Sequence, residues 1–190
     1  MIIGLVSDTH GFFDPRLGEI LSGSDLILHA GDVGSEDVLD ELRRIAPVHA
    51  VRGNVDSSNS GLPPTLTVSP GEVPIHVLHI LPATQADLES WARRERISGE
   101  LPKAAERLLR VFDAGTEIVL FGHSHQPCLV MLGSVLWVNP GSAGRKRFSL
   151  PRTCAVMECS NDLLEARIVA LEPYQGDLLK NVRVRRGAHV

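Results

Sequence analysis

The chain has 190 residues and a mass of 20.6 kDa, which suffices for one well-packed domain and is too short for two full-sized ones. Hydrophobic residues make up 43% and charged residues 22%, and this composition excludes a disordered, collagen-like or coiled-coil protein. The net charge of −4 argues against broad nucleic-acid binding, because surfaces that bind nucleic acids are usually basic.

Apolar runs and amphipathic segments alternate through the first 125 residues. Residues 2–7 form a short apolar run, which is typical of a strand buried on both faces. Residues 35–45 predict a helix capped by Ser35, because their apolar side chains recur at helical spacing. Further helices are expected at 15–21 and within 82–115, with a break near Ser98 and Gly99, and further strands at 25–29, 48–51, 66–68, 73–79 and 117–121. This alternation predicts an α/β domain.

The last third of the chain has a different pattern, in which short strands follow one another. Strands are predicted at 128–132, 134–138, 153–159 and 163–170. From about residue 175 the sequence is a polar, basic tail that we expect to be solvated. No linker composition divides the chain, so we expect a single domain spanning residues 1–190.

The three cysteines are an odd number at low density, which excludes a closed disulfide framework and fits reduced thiols. No apolar run approaches about 18 residues, and no basic leader precedes the first strand. We therefore expect a soluble, cytoplasmic protein that does not contact a membrane.

Side chains that commonly ligate metals follow five of the predicted strands. They are Asp8 and His10, Asp32, Asn54, His79, and the pair His123 and His125. If the backbone stays extended after the first strand, Asp8 and His10 point to the same side. Because ligands collect at the carboxyl ends of strands in an open α/β sheet, these side chains are expected to converge.

The chemistry of this set favours a catalytic metal site. Carboxylate, imidazole and amide groups without thiolate suit manganese, iron, nickel or zinc better than they suit a structural zinc site. Seven side chains are more than one ion needs, so two divalent ions sharing one carboxylate are expected. A water bridging such ions ionises near neutral pH and supplies a hydroxide nucleophile for in-line attack on phosphorus.

The motif order resembles that of the calcineurin-like metallophosphoesterases, and it is most similar to their small bacterial and archaeal phosphodiesterase branch. The motifs are Asp8-x-His10, Gly31-Asp32, Gly53-Asn54-x-Asp56, His79, Gly122-His123-Ser124-His125 and Asn139-Pro140-Gly141-Ser142. The resemblance spans about residues 1–170 and implies a four-layer α/β/β/α sandwich of two mixed sheets flanked by helices.

The same resemblance implies a ligand set for each ion. Asp8, His10, Asp32 and His125 would bind the first metal, and Asp32, Asn54, His79 and His123 the second, with Asp32 as the bridge. It favours manganese as the cofactor, with nickel, iron or zinc as alternatives.

Two departures from the family pattern bear on the reaction. Val55 stands where larger phosphatases of the superfamily carry a histidine that aids the leaving group, and this favours the phosphodiesterase branch. Ile80 and Leu81 follow His79 where family members usually have glycine and a polar residue, so no proton donor is evident there. The interval before His123 is also long, and residues 84–99 are interpreted as an added helix.

The predicted function is metal-dependent hydrolysis of a small-molecule phosphodiester. Arg52, Arg145 and Arg147 are the candidates for gripping its phosphate, because a guanidinium binds phosphate bidentately. One alternative is a phosphomonoesterase acting on nucleotides, sugar phosphates or phosphoproteins. Another is a non-catalytic scaffold of the same fold that binds protein partners, and a homo-oligomer is compatible with every one of these interpretations.

Overall fold

The computed structural model describes residues 1–146, 149–173 and 180–185. The helices in these ranges are α1 (Pro15–Ile20), α2 (Glu36–Arg43), α3 (Gln85–Ser98) and α4 (Lys103–Leu109), with a short 3-10 turn at Pro70–Glu72. The strands are β1 (Ile2–Val6), β2 (Leu26–His29), β3 (Val48–Ala50), β4 (Thr65–Val68), β5 (Ile75–Leu78), β6 (Ile118–Leu120), β7 (Cys128–Leu132), β8 (Val135–Asn139), β9 (Thr153–Cys159), β10 (Leu163–Ala170) and β11 (Asn181–Arg185).

The strands form two mixed sheets. The first has the order β11-β10-β9-β1-β2-β3, and the second has the order β4-β5-β6-β8-β7. In the first sheet β1, β2 and β3 run parallel, while β9 pairs antiparallel with β1. In the second, β5, β6 and β8 run parallel, flanked by antiparallel β4 and β7. Each sheet therefore carries a parallel set of three strands.

Alternating side chains along the strands pack the two sheets face to face. Ile3 and Leu5 of β1 and Ile118 and Leu120 of β6 belong to one fully buried cluster between the sheets. The intervening residue Val119 faces the other way, toward the helices that cover the second sheet. This alternation is what a strand covered on both faces requires, because successive side chains point to opposite sides.

Helices cover both outer faces. Buried leucines of α1 and α2 pack on the first sheet, and buried residues of α3 and α4 pack on the second. The layers are therefore helices, sheet, sheet and helices. The predicted α/β class and the four-layer α/β/β/α sandwich are confirmed.

The predicted helices and strands agree with the observed ones to within a few residues. The predicted helix break is also present, because α3 ends at Ser98 and is capped by Gly99, whose φ of 73° is left-handed. One detail is wrong: Ser35 occupies the N-cap position of α2, but its side chain makes no capping hydrogen bond.

The sequence did not predict β11, which lies in the expected polar tail and pairs with β10. The three cysteines are buried, and none of them forms a disulfide. Among the helices of the described ranges, none has the length and apolar content needed to cross a membrane.

The parallel strands of both sheets end at the same edge of the molecule. The segments after β1, β2 and β3 approach those after β5, β6 and β8, as the hydrogen bonds from Ala143 N to Ser7 O and from His79 Nδ1 to Ala30 O show. The candidate ligands lie in these segments, so the fold gathers them at one edge.

Candidate metal centre

The loop that follows β1 is held against the loop that follows β2. Asp8 N donates to Gly31 O at 3.0 Å, and His10 N donates to Asp32 O at 2.9 Å. Asp8 and His10 adopt left-handed conformations, with φ of 55° and 48°. The expectation that an extended backbone places these two side chains on one side is therefore wrong. They do converge, but through two left-handed residues.

The first group of ligand atoms is formed by Asp8, His10 and His125. Their ligand atoms all lie within 4.8 Å of one another. Nε2 of His125 lies 3.1 Å from Asp8 Oδ1 and 3.1 Å from Nε2 of His10. All three side chains are largely buried, with at most 11% of each exposed. Two ring nitrogens and a carboxylate oxygen thus point into one small space.

The second group is formed by Asp32, Asn54, His79 and His123. Nε2 of His79 lies 3.3 Å from Asp32 Oδ1 and 3.0 Å from Asn54 Oδ1. Nδ1 of His123 lies 2.9 Å from the same Asn54 oxygen. Asn54 and His123 are exposed residues, so this group is more open to solvent than the first.

Asp32 lies between the two groups. Its Oδ2 is 3.8 Å from Nε2 of His10, and its Oδ1 is 3.3 Å from Nε2 of His79. Burial raises the pKa of Asp32, but hydrogen bonds from His79 and the Val55 amide outweigh this effect and lower the pKa to about 2. The carboxylate is therefore ionised at neutral pH, with one oxygen facing each group.

The arrangement of the donors fits a metal. His79 Nδ1 lies 2.7 Å from Ala30 O, to which it donates, so Nε2 is the ring nitrogen that faces Asp32 and Asn54. A backbone carbonyl commonly orients a metal-binding histidine in this way. Asp8 Oδ1 is buried and accepts no hydrogen bond, although a carboxylate oxygen is expensive to leave without a partner. A cation bound among these groups would give both His79 Nε2 and Asp8 Oδ1 a partner.

Several polar residues that position these ligands were not assigned a role in the sequence analysis. Ser7 Oγ donates to Asp8 Oδ2 at 2.6 Å, and His123 N donates to the same oxygen at 3.1 Å. Ser142 Oγ donates to Asp8 O, and Asn139 Nδ2 donates to Gly122 O. Ser142 and Asn139 lie in a motif that the resemblance already included, whereas nothing in the sequence pattern marks Ser7.

Asp56 ties the loops after β2 and β3 together. Its carboxylate accepts hydrogen bonds from the amides of Val33, Gly34 and Gly53 at 2.8–3.1 Å. The close approach also explains the glycine before Asn54, because a Cβ at Gly53 would collide with Asp32. Asp56 therefore orients the loop that carries Asn54.

The arginines predicted to grip phosphate lie on different sides of the centre. Arg52 lines a cleft together with Asn54 and His79. Arg145 lines a small pocket with His125, and its guanidinium lies over the Phe12 ring at 4.8 Å from the centroid. Arg147 lies outside the described residues.

Comparison with known proteins gives consistent matches. The family model for the calcineurin-like phosphoesterase superfamily domain matches residues 1–162. A probable metallophosphoesterase of Methanothermobacter thermautotrophicus is 33% identical over 179 residues, which cover 89% of this chain and 92% of that protein.

Two solved structures show the same fold. Vps29 of Entamoeba histolytica, complexed with Zn²⁺, gives a TM-score of 0.69 at 20% identity, with 97% of this chain and 99% of that chain covered. An archaeal phosphodiesterase gives a TM-score of 0.62 at 20% identity, with 90% and 99% covered. At this level of identity the two structures establish a common fold and nothing further.

Proposed function

The chain belongs to the calcineurin-like phosphoesterase superfamily, and on that basis we propose that it is a metal-dependent phosphodiesterase acting on small-molecule phosphate esters. Family membership supports phosphoester hydrolysis with divalent metal ions. The proposal goes beyond family membership in three respects: the preference for diesters, the use of two ions and the identity of the metal.

One observation carries the proposal of two ions, namely the position of Asp32 between two groups of ligand atoms. Its two oxygens face His10 and His79 respectively, at 3.8 and 3.3 Å from their Nε2 atoms. We assign Asp8, His10, Asp32 and His125 to one ion, and Asp32, Asn54, His79 and His123 to the other. Such a pair, when bound, would activate water for in-line attack and neutralise charge on the phosphoryl group.

The residues of the chain set up this chemistry before substrate arrives. Burial fixes Asp8, and Ser7 holds one of its oxygens, so that the other remains available for a cation. The Ala30 carbonyl fixes the His79 ring. We assign to Arg145, which lines a small pocket together with His125, the binding of an oxygen of the substrate phosphate.

The proposed preference for acidic leaving groups follows from the residues around Asn54 and His79. Val55, Ile80 and Leu81 carry no titratable group. None of them protonates a departing alkoxide, and such help is generally worth about 10²–10⁴-fold in rate. The proposed substrates are therefore diesters of acidic alcohols, aryl esters above all, whose leaving groups need no proton.

Manganese is the proposed metal, because the family resemblance favours it and the carboxylate, imidazole and amide donors, without a thiolate, suit it. Nickel, iron and zinc suit the same donors and are the alternatives. The proposed substrate binds at the open side of the centre, where Asn54 and His123 are exposed.

A scaffold is the alternative from a different class, because Vps29 shares the fold. We favour the enzyme because this chain retains all seven candidate ligands and holds their donor atoms close together. A protein used only for docking gains nothing from keeping a buried carboxylate oxygen without a hydrogen bond.

The test combines metal analysis with hydrolysis assays. Chelator-treated protein is assayed with and without added Mn²⁺ on bis(4-nitrophenyl) phosphate, on 4-nitrophenyl phosphate and on an alkyl diester. We expect Mn²⁺-dependent hydrolysis, with the aryl diester preferred over the alkyl diester by at least about 10²-fold.

Each other outcome points elsewhere. Faster turnover of the monoester would favour the phosphomonoesterase. Equal rates for aryl and alkyl diesters would contradict the proposal that the protein needs acidic leaving groups because it has no proton donor. A protein that contains no metal as purified and stays inactive with Mn²⁺ would be a scaffold.

A further inference from the structure

The two sides of the candidate metal centre differ in chemistry. On the His125 side, Arg145 and Lys146 line a small pocket. On the His123 side a larger cleft opens, with a volume of about 550 Å³, and its apolar lining comes from Ile80, Leu81, Ala83 and Phe121. Ile80 is 51% exposed, so its apolar side chain is accessible to a molecule that enters the cleft.

Four of the polar residues in this cleft are hydrogen-bonded to one another in pairs. Thr84 Oγ1 donates to Asp87 Oδ2 at 2.6 Å and accepts from the Asp87 amide. Ser124 Oγ donates to Gln85 Oε1 at 2.8 Å. A molecule entering the cleft therefore meets an apolar wall and polar groups that already have hydrogen-bond partners.

The cleft is continuous with the proposed reaction site, because His123 lines it and also lies 2.9 Å from Asn54 Oδ1. A phosphate bound at the centre would have its charged oxygens near the metals and Arg145. An organic group carried by the same phosphorus could then extend past His123 along Ile80 and Leu81. The volume of the cleft falls within the usual range for small-molecule sites.

We infer that this cleft is the subsite for an aromatic group esterified to the bound phosphodiester. The inference rests on the proposed function and adds the class of organic group to it. Apolar contact with Ile80 and Leu81 would hold the ring, so selectivity for aromatic esters would arise in binding, separately from the acidity of the leaving alcohol.

The test uses two inhibitors that have no leaving group. Phenylphosphonate and methylphosphonate are measured as competitors of bis(4-nitrophenyl) phosphate hydrolysis and, independently, by calorimetric titration of the Mn²⁺-loaded protein. Wild-type protein is expected to bind the phenyl compound more tightly. Because Ile80→Ser removes apolar contact area, we expect it to weaken phenylphosphonate about fivefold to tenfold and methylphosphonate less than about twofold.

Two further variants complete the design. Leu81→Ser is expected to act in the same direction as Ile80→Ser. Ile97→Ser is the matched control, because Ile97 is 81% exposed on α3 and does not line the cleft, so both inhibitors should bind that variant as they bind wild type.

The outcomes separate this inference from the proposed function. Equal weakening of both phosphonates by Ile80→Ser, or no weakening of either, overturns the subsite. If the wild type hydrolyses no diester but titration shows phenyl selectivity that Ile80→Ser removes, the cleft stands and the phosphodiesterase proposal fails.

Discussion

The edge that carries the candidate ligands and the interior between the sheets are built on opposite principles. In the interior, Ile3, Leu5 and Ile118 are fully buried apolar side chains in regular strands. At the edge, carboxylates and imidazoles are crowded together and one buried oxygen has no hydrogen bond. The interior thus stabilises the fold. The edge contains strained and unpaired groups that lower the stability of the metal-free protein.

Backbone conformation shows the same contrast. The described residues include six non-glycine positions with positive φ, and five of these are candidate ligands: Asp8, His10, Asp32, His123 and His125. Left-handed conformations cost an ordinary residue about 1–2 kcal/mol each. The ligands are therefore held in place by the surrounding fold and not by local backbone preference.

The largest expected effect is a loss of metal binding and activity at the edge without a loss of the fold. Asp32→Ala removes the carboxylate that faces both groups, so we expect it to lose both metals and to lower kcat/KM at least about 10³-fold while the fold persists. His123→Ala should mainly weaken the binding of the second ion. Metal counts, circular dichroism and diester hydrolysis measure these effects, and Asp40→Ala on exposed α2 is the control.

An interior variant should show the reverse. Ile118→Ala leaves a cavity between the sheets and is expected to lower the free energy of unfolding by about 3 kcal/mol. Its metal content should match that of the wild type. If Ile118→Ala loses metal as completely as Asp32→Ala, or if Asp32→Ala unfolds, the two regions are not independent.

The next prediction concerns His29, which lies at the boundary between the regions. Its Nδ1 accepts from Gly31 N, and its Nε2 lies 2.9 Å from Thr9 Oγ1, which itself donates to Val33 O. The neutral ring with hydrogen on Nε2 satisfies every one of these contacts. Burial lowers the pKa of His29 from 6.5 to about 4, so the folded protein keeps this ring neutral at pH values where the unfolded chain protonates it.

The sign of the pH effect follows from this difference. Above pH 6.5 both states are neutral and the stability contribution is complete; as the pH falls from 6.5 to 4, only the unfolded state binds the proton and stability declines, by up to about 3 kcal/mol. Urea unfolding of chelator-treated wild type and His29→Gln between pH 4 and 8 measures it. The variant should show a shallower decline over this interval, and parallel curves would exclude His29 as the cause.

The sequence was informative where a general rule of topology applies. The convergence of Asp8, Asp32 and His79 could be predicted, because residues after parallel strands meet at one edge of a sheet. The backbone at Asp8 and His10 could not, because its left-handed form depends on hydrogen bonds to Gly31 and Asp32 in a distant loop. Periodicity contains no information about such contacts.

The supporting residues show the same limit. Ser7 is one of many serines in the sequence, and only the fold places its hydroxyl 2.6 Å from Asp8 Oδ2. Strand β11 was missed because its residues alternate between exposed and half-buried positions and have little apolar content to mark them. Features that depend on burying apolar surface were predictable, whereas those that depend on one polar contact were not.

The smallest expected effect tests backbone strain at the edge directly. His10 has φ of 48°, so in metal-free protein His10→Gly should be more stable than His10→Ala by about 1 kcal/mol, because glycine adopts this conformation without the steric penalty. Both variants lose the same imidazole, so the comparison isolates the backbone. At exposed Asp40 in helix α2 the order should reverse, with alanine about 1 kcal/mol more stable than glycine. Urea unfolding of the four variants with chelator present measures both differences, and the same preference for alanine at both positions would mean that the edge is not strained.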